Sequence, residues 1–133
     1  MTCPPDSSPD GATVVDVDLT EFAIAPAASE APAGSVTFQI HNRGDEPHEV
    51  VVVRADSVED LPMAEDGSFD EDALGEDAFI GELEPITSGL TCSLTVDLTP
   101  GDYLLVCNIV EEEDGELESH LAEGMVVPFT VTG

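Results

Sequence analysis

The chain has 133 residues, of which 30 are acidic and two are arginine; it has no lysine, and its formal net charge is −28. Such a surface repels phosphates, which argues against nucleic acid as a partner. The length fits one domain, the hydrophobic fraction of 41% is too high for a wholly disordered chain, and no apolar run is long enough to cross a membrane.

Residues 1–12 are rich in Pro, Ser, Asp and Gly without periodicity, which predicts a disordered tail or tether ahead of a single domain at 13–133. No apolar signal segment precedes Cys3, so the sequence is interpreted as the mature part of an exported protein. Cys3 is then a lipid-anchor cysteine that tethers the chain to a membrane. The alternative is a residue without a role in an unstructured tail.

Alternation of apolar and polar residues predicts half-buried strands. Segments with this pattern are 13–19, 22–24, 36–40, 90–98 and 127–131. The alternation shifts phase between Leu19 and Phe22, which indicates a bulge or a bend between sheets. The run Val50–Val53 is typical of a strand buried on both faces, and a further strand is predicted at 103–107.

The segments between these strands are irregular. A helix is predicted at 68–77 with Ser68 as its N-cap. Turns are predicted at 42–45 and 99–102, and Pro128 indicates that the last strand lies at an edge or points its proline outward. Short strands, frequent turns and little helix predict an all-β sandwich or barrel.

The residues that carry chemistry are His48, Cys107, His120 and Met125. Twelve residues separate Cys107 from His120, and four separate His120 from Met125. Cu(I) prefers thiolate and thioether, whereas Cu(II) prefers imidazole. Two imidazoles and a thiolate in one plane, with a weak axial thioether, therefore suit both oxidation states.

The chain resembles the cupredoxins, the blue copper proteins. The resemblance lies in Asn-x-Gly-x-x-x-His at 42–48, Pro-Gly-Asp-Tyr-Leu-Leu-Val-Cys at 100–107 and His-x-x-x-x-Met at 120–125. It implies a Greek-key β-sandwich of about eight strands that holds one copper ion through His48, Cys107, His120 and Met125. It also implies that Asn108 ties the two ligand loops together by a hydrogen bond.

The sequence departs from this pattern between Cys107 and His120, where the family usually has two to four residues. Six of the ten residues at 110–119 are acidic. The insert is interpreted either as a surface loop without a role or as a loop beside the copper that steers a basic partner.

The three cysteines leave a rival interpretation open. If strands 90–98 and 103–107 formed a hairpin, a Cys92–Cys107 disulfide would follow and no thiolate would remain for copper. The cupredoxin interpretation instead places these strands in different sheets, with Cys92 as a small core residue. His41 falls on the polar face of its strand and is predicted to be a surface residue.

The predicted function is one-electron transfer by a type 1 copper site, without enzyme activity, because four protein ligands leave no open position. The alternatives are copper binding or delivery without electron transfer, and a metal-free structural sandwich. The expected setting is an extracytoplasmic monomer with a redox partner protein, which the acidic surface suggests is basic. The acidic surplus equally fits adaptation to high salt, which the absence of lysine favours.

Overall fold

The computed structural model describes residues 12–74, 77–113 and 115–133. Within these ranges it contains eleven strands, a 3-10 helix at Val58–Asp60 and one helical turn, α1, at Glu71–Leu74. The strands are β1 Thr13–Thr20, β2 Ala23–Pro26, β3 Glu30–Pro32, β4 Gly34–Asn42, β5 His48–Arg54, β6 Phe79–Ile86, β7 Thr91–Leu98, β8 Gly101–Val106, β9 Val110–Glu113, β10 Glu116–Ser119 and β11 Val126–Thr132. Apart from Ala12, the predicted tail at 1–12 lies outside the described residues. No helix in the described part of the chain is long and apolar enough to cross a membrane.

Two sheets form the body of the domain. One has the order β2-β1-β4-β7, with β1 and β4 parallel, and the other has the order β3-β11-β8-β5-β6. Strands β9 and β10 form a separate two-stranded hairpin. The predicted β-sandwich is confirmed, with nine short strands in its two sheets and two more in the hairpin rather than about eight in all.

The main core lies between the two sheets. The inward positions of β1 and β4 are at most 3% exposed, as their alternation predicts. Phe38 of β4 meets Phe129 of β11 edge to face, with ring centroids 5.2 Å apart. This contact joins the two sheets at the centre of the domain.

Strand β5 is buried on both faces, as its continuous valine run predicts. Val50 and Val52 belong to the main core. Val51 and Val53 belong to a second apolar cluster on the other side of the sheet, together with Phe69. The irregular segment between β5 and β6 therefore covers the outer face of the five-stranded sheet.

Two local predictions in these segments are wrong. The helix begins at Glu71, with Asp70 Oδ1 accepting a 3.3 Å hydrogen bond from the Ala73 amide. Ser68 does not cap it, because its hydroxyl donates to Asp66 at 2.6 Å in a local turn. The phase shift after β1 is a tight turn that pairs β1 with β2 in the same sheet, not a bulge or a change of sheet.

The corner between β7 and β8 sends the chain from one sheet to the other. Tyr103, 1% exposed, closes this corner: its hydroxyl donates to the Thr99 carbonyl at 2.7 Å and accepts from the Thr99 amide at 3.2 Å. Arg54 packs over the Tyr103 ring, 5.5 Å from the centroid, and donates to the Pro100 carbonyl. Strands β7 and β8 thus do not form a hairpin.

The separation of β7 from β8 also bears on the bonding state of the cysteines. Cys107 is a free, buried thiol, and Cys92 is disulfide-bonded. The rival interpretation of a Cys92–Cys107 disulfide is therefore wrong, and the prediction that Cys92 lies in the core is confirmed by its 1% exposure, although Cys92 is not a free thiol. The third cysteine, Cys3, lies outside the described residues.

Pro128 is exposed, and its strand β11 contacts β3 only at Thr130–Thr132. At Pro128 the strand pairs on one side alone, with Leu104 of β8. Strand β11 is not an edge strand, since it lies between β3 and β8, but the predicted outward position of Pro128 is confirmed.

Tyr103→Phe should lower the free energy of unfolding by about 1–3 kcal/mol, because the buried Tyr103 hydroxyl makes two hydrogen bonds to the Thr99 backbone that phenylalanine cannot make. Chemical denaturation measures this change. Thr130→Val, which removes an exposed hydroxyl from β11, is the control and should change stability by less than about 0.5 kcal/mol. Equal stability of Tyr103→Phe and the parent would contradict the role given to this corner.

Candidate metal centre

The predicted ligands come from one end of the five-stranded sheet. There β5 begins at His48, β8 ends just before Cys107, and β11 begins just after Met125. Since β8 is antiparallel to both of its neighbours, these three points lie side by side. The topology therefore gathers residues that are far apart in sequence.

The loop that carries His48 is wound around Asn42, which is 2% exposed. The Asn42 side-chain amide donates to the Glu46 carbonyl at 2.8 Å and to the Ile86 carbonyl at 2.9 Å. Its Oδ1 accepts from the Gly44 amide at 3.0 Å. These bonds fix the turn between β4 and β5 and thereby the start of the strand at His48.

Cys107 and the His120–Met125 loop are joined through the backbone. The Cys107 amide donates to the Met125 carbonyl, and the Met125 amide donates to the His120 carbonyl, both at 3.0 Å. Met125 and Cys107 are both fully buried in the main core. The loop is therefore folded back onto the end of β8.

The acidic insert does not separate Cys107 from His120 in space. It folds as the hairpin β9–β10, whose last pair is Val110 opposite Ser119. The His120 amide then donates to the Ile109 carbonyl at 3.0 Å. His120 thus stands across from the second residue after Cys107, as it would if the insert were only a short loop.

The donor atoms of His48, Cys107 and His120 converge. The two histidine Nδ1 atoms lie 3.3 Å apart, the Cys107 Sγ lies 3.4 Å from the His120 Nδ1, and all three atoms lie within 4.8 Å of one another. With metal–nitrogen and metal–sulfur bonds of about 2.0 and 2.3 Å, these two separations subtend about 110° and about 105° at a shared ion. The three residues therefore fit a trigonal or tetrahedral metal site.

All three side chains are withdrawn from water, since each residue is 0% exposed. Burial raises the pKa of the Cys107 thiol to about 11 and lowers that of His120 in the metal-free chain. The imidazole is thereby kept neutral, as a metal ligand must be. The thiol proton is released when a metal ion takes its place.

His48 is oriented by a carboxylate that the sequence analysis missed. Its Nε2 lies 2.6 Å from Oε2 of Glu21, in the turn between β1 and β2. Glu21 is itself held by the Asp45 amide at 2.7 Å. With the proton on Nε2, the Nδ1 lone pair of His48 is directed into the cluster. No local sequence signal marks Glu21, because its role depends on contact between two distant turns.

His120 lies between an aromatic ring and the acidic hairpin. Its ring centroid is 5.1 Å from that of Phe22, and its Nε2 is 3.7 Å from Oε1 of Glu111. A side-chain hydrogen bond with Glu111 raises the pKa of Glu46 to about 7. The insert therefore lies beside His120, and whether it is a surface loop without a role or steers a partner stays a prediction.

The backbone amide of Asn108 donates to Oε1 of Glu49 at 3.2 Å, which joins the residue after Cys107 to the residue after His48, as the resemblance implied. The side-chain amide of Asn108 donates to the Phe69 carbonyl at 3.0 Å and to Glu71 at 2.9 Å. The Asn108 side chain therefore ties the end of β8 to the segment after β5, while Asn42 fixes the turn before His48. His41, predicted as a surface residue, is outside the cluster and bonds to Thr91 and Asp16.

Comparison with solved structures shows the fold. Auracyanin from Roseiflexus castenholzii aligns over 92% of this chain and 100% of its own, with 20% identity and a TM-score of 0.63. Auracyanin A, a "blue" copper protein from Chloroflexus aurantiacus, aligns over 92% of this chain and 100% of its own, with 19% identity and a TM-score of 0.64. An azurin from Methylomonas sp. strain J aligns over 91% of this chain and 98% of its own, with 14% identity and a TM-score of 0.60. The chain has the cupredoxin fold, as predicted. Neither a protein-family model nor a curated protein matches it.

Asn42→Ala should lower the free energy of unfolding by about 2–4 kcal/mol, because the Gly44 amide and the Glu46 and Ile86 carbonyls lose their partner. It should also weaken metal binding, since the His48 loop loses its anchor. Arg43→Ala, beside it, removes only an exposed ion pair with Asp18 and should cost less than about 1 kcal/mol. Denaturation with and without Cu(II) compares the two variants; similar losses in both would contradict the anchoring role.

Proposed function

We propose that this chain is a type 1 copper protein that transfers single electrons by cycling one ion between Cu(I) and Cu(II). The observation that carries the proposal is the meeting of two imidazole nitrogens and one cysteine sulfur, fully buried, at one end of a cupredoxin sandwich. Bound copper supplies the one-electron couple. His48, Cys107 and His120 are its proposed strong ligands, and this donor set suits both oxidation states.

The polypeptide fixes the positions of these proposed ligands and shields them from water. Backbone bonds fix Cys107 to Met125 and His120 to Ile109. The carboxylate of Glu21 orients His48. A ligand set that moves little when the charge of the ion changes allows an electron to enter and leave with little rearrangement, which supports electron transfer.

Met125 is proposed as the weak axial ligand. It is fully buried, and its backbone bonds on both sides to ligand residues, to Cys107 through its carbonyl and to His120 through its amide. A thioether at this position suits a site that must not favour Cu(II) strongly.

The burial of the donor residues favours electron transfer over copper delivery as the function of the site. A delivery site must let a ligand of the receiving protein reach the ion, whereas the three donor residues here are 0% exposed. A buried site with no open position also gives no place for a substrate, so we propose no enzyme activity.

The proposed partner is a redox protein with a basic docking surface. The acidic hairpin stands over His120, so a partner that approaches this ligand meets negative charge. The disulfide at Cys92 supports an oxidising, extracytoplasmic compartment. The predicted tether at Cys3 and the monomeric state stay predictions.

Cu(II) added to the purified protein should bind with a stoichiometry of one and give an intense visible thiolate-to-copper band. Cys107→Ser should abolish the band, because the hydroxyl does not replace a thiolate donor. His41→Ala, which removes the histidine outside the cluster, should keep it. Absorption titration measures all three. Colourless binding that survives Cys107→Ser would refute the type 1 site, and no binding at all would refute any copper function.

Met125→Leu should keep the band and raise the midpoint potential, because loss of a thioether removes a donor that favours Cu(II). Each tenfold loss of Cu(II) affinity relative to Cu(I) affinity raises the potential by about 59 mV. Met63→Leu is the matched control, since Met63 is 52% exposed and far from the ligands in the sequence. A redox titration that gives the same potential for both variants would exclude Met125 as a ligand.

A further inference from the structure

Three carboxylates gather on the outer side of His120. One oxygen from each of Glu46, Glu111 and Glu118 lies within 4.8 Å of the others and of a ring nitrogen of His120. Glu111 and Glu118 face each other across the hairpin β9–β10, and Glu46 comes from the loop before His48. All three glutamates are half-buried. This group, the outer carboxylate cluster, shares only His120 with the proposed copper site.

The cluster is unfavourable as it stands. Like charges directly opposite each other on paired strands destabilise the pair, and Glu111 and Glu118 occupy such positions. Partial burial reduces the screening of this repulsion by water. A positive charge placed among the three oxygens would remove the repulsion.

A second, independent observation points into the same place. The His120 side chain is 0% exposed, and its Nε2 has no hydrogen-bond partner among the described residues. This nitrogen is directed at the cluster, 3.7 Å from Oε1 of Glu111, which is too long for a hydrogen bond. Buried polar atoms without a partner are rare in folded proteins and indicate an ion or water that the side chains alone do not provide.

We propose that Glu46, Glu111 and Glu118 form a second metal site, which takes one hydrated divalent cation that prefers carboxylate oxygen, such as Ca²⁺ or Mn²⁺. Oxygens bound to one Ca²⁺ at 2.3–2.6 Å lie at most about 5 Å apart, which matches the spread of the cluster. Such ions keep water ligands where protein ligands are few. A bound water oxygen then accepts the hydrogen bond of the His120 Nε2–H.

The site lies one imidazole ring from the proposed copper ion, so the two ions are electrostatically linked; this part rests on the proposed function. A dication at the outer carboxylate cluster repels Cu(II) more than Cu(I), and it therefore raises the copper midpoint potential. By reciprocity, the cation binds more tightly to the reduced protein. A tenfold difference in its affinity for the two forms corresponds to a rise of about 59 mV.

The test uses Mn²⁺ as the probe, counted by the loss of the electron paramagnetic resonance signal of the free ion, in about 0.5 M NaCl to suppress binding to the general acidic surface. The copper-loaded protein and the copper-free protein are both titrated. We expect one Mn²⁺ per chain and at least a tenfold loss of affinity in Glu118→Gln. Glu112→Gln is the matched control, because Glu112 neighbours Glu111 but alternates to the other face of β9. It should change affinity less than twofold.

The outcomes separate the two proposals. Mn²⁺ binding in copper-free protein, lost in Glu118→Gln, supports the second site even if no visible copper band forms. A copper band without Mn²⁺ binding, or binding weakened equally by Glu112→Gln and Glu118→Gln, overturns it. Bound Mn²⁺ that leaves the copper potential unchanged places the ion away from His120 and also overturns it.

Discussion

The hydrogen bond from the His120 amide to the Ile109 carbonyl is the contact on which the candidate centre depends. It closes the base of an acidic hairpin and removes ten residues from the effective distance between Cys107 and His120. Without it, the closure of a twelve-residue loop would leave His120 free to sample many positions. With it, the end of β8, the hairpin base and the start of β11 form one continuous hydrogen-bonded frame.

Much of the fold, and the three candidate donor residues that converge at one end of it, were predictable from the sequence. The alternation in β1, β4 and β7 and the valine run of β5 record how many faces of each strand are buried. Pro100-Gly101 predicted the turn between β7 and β8, whereas the crossing between sheets was implied only by the resemblance to cupredoxins. The hairpin was not predictable, because runs of glutamate have low strand propensity and because β9 and β10 pair only with each other.

The contacts that orient the ligands were also beyond the sequence, for a different reason. Glu21 reaches His48 only because the β1–β2 turn and the β4–β5 loop meet in space. The side-chain bond from Asn108 to Phe69 was not predictable, since Phe69 belongs to the irregular segment, whose sequence shows no periodicity. The pairing of Cys92 depends on tertiary position as well. Residue type and spacing predict which side chains are candidate metal donors. The hydrogen-bond partners that orient those side chains can be identified only from the three-dimensional structure.

The closed base of the hairpin β9–β10 makes the insert a module. Since the pair Val110–Ser119 and the Ile109–His120 bond already hold the ligands in register, the residues beyond that pair do not set the ligand spacing. A change in the length of the insert beyond that pair should therefore leave the relative positions of Cys107 and His120 unchanged. A shorter hairpin would leave the imidazole of His120 more exposed to solvent, and a longer hairpin would cover it further, while the two sheets stay the same. The loop between the two ligands is in this sense an exchangeable cap.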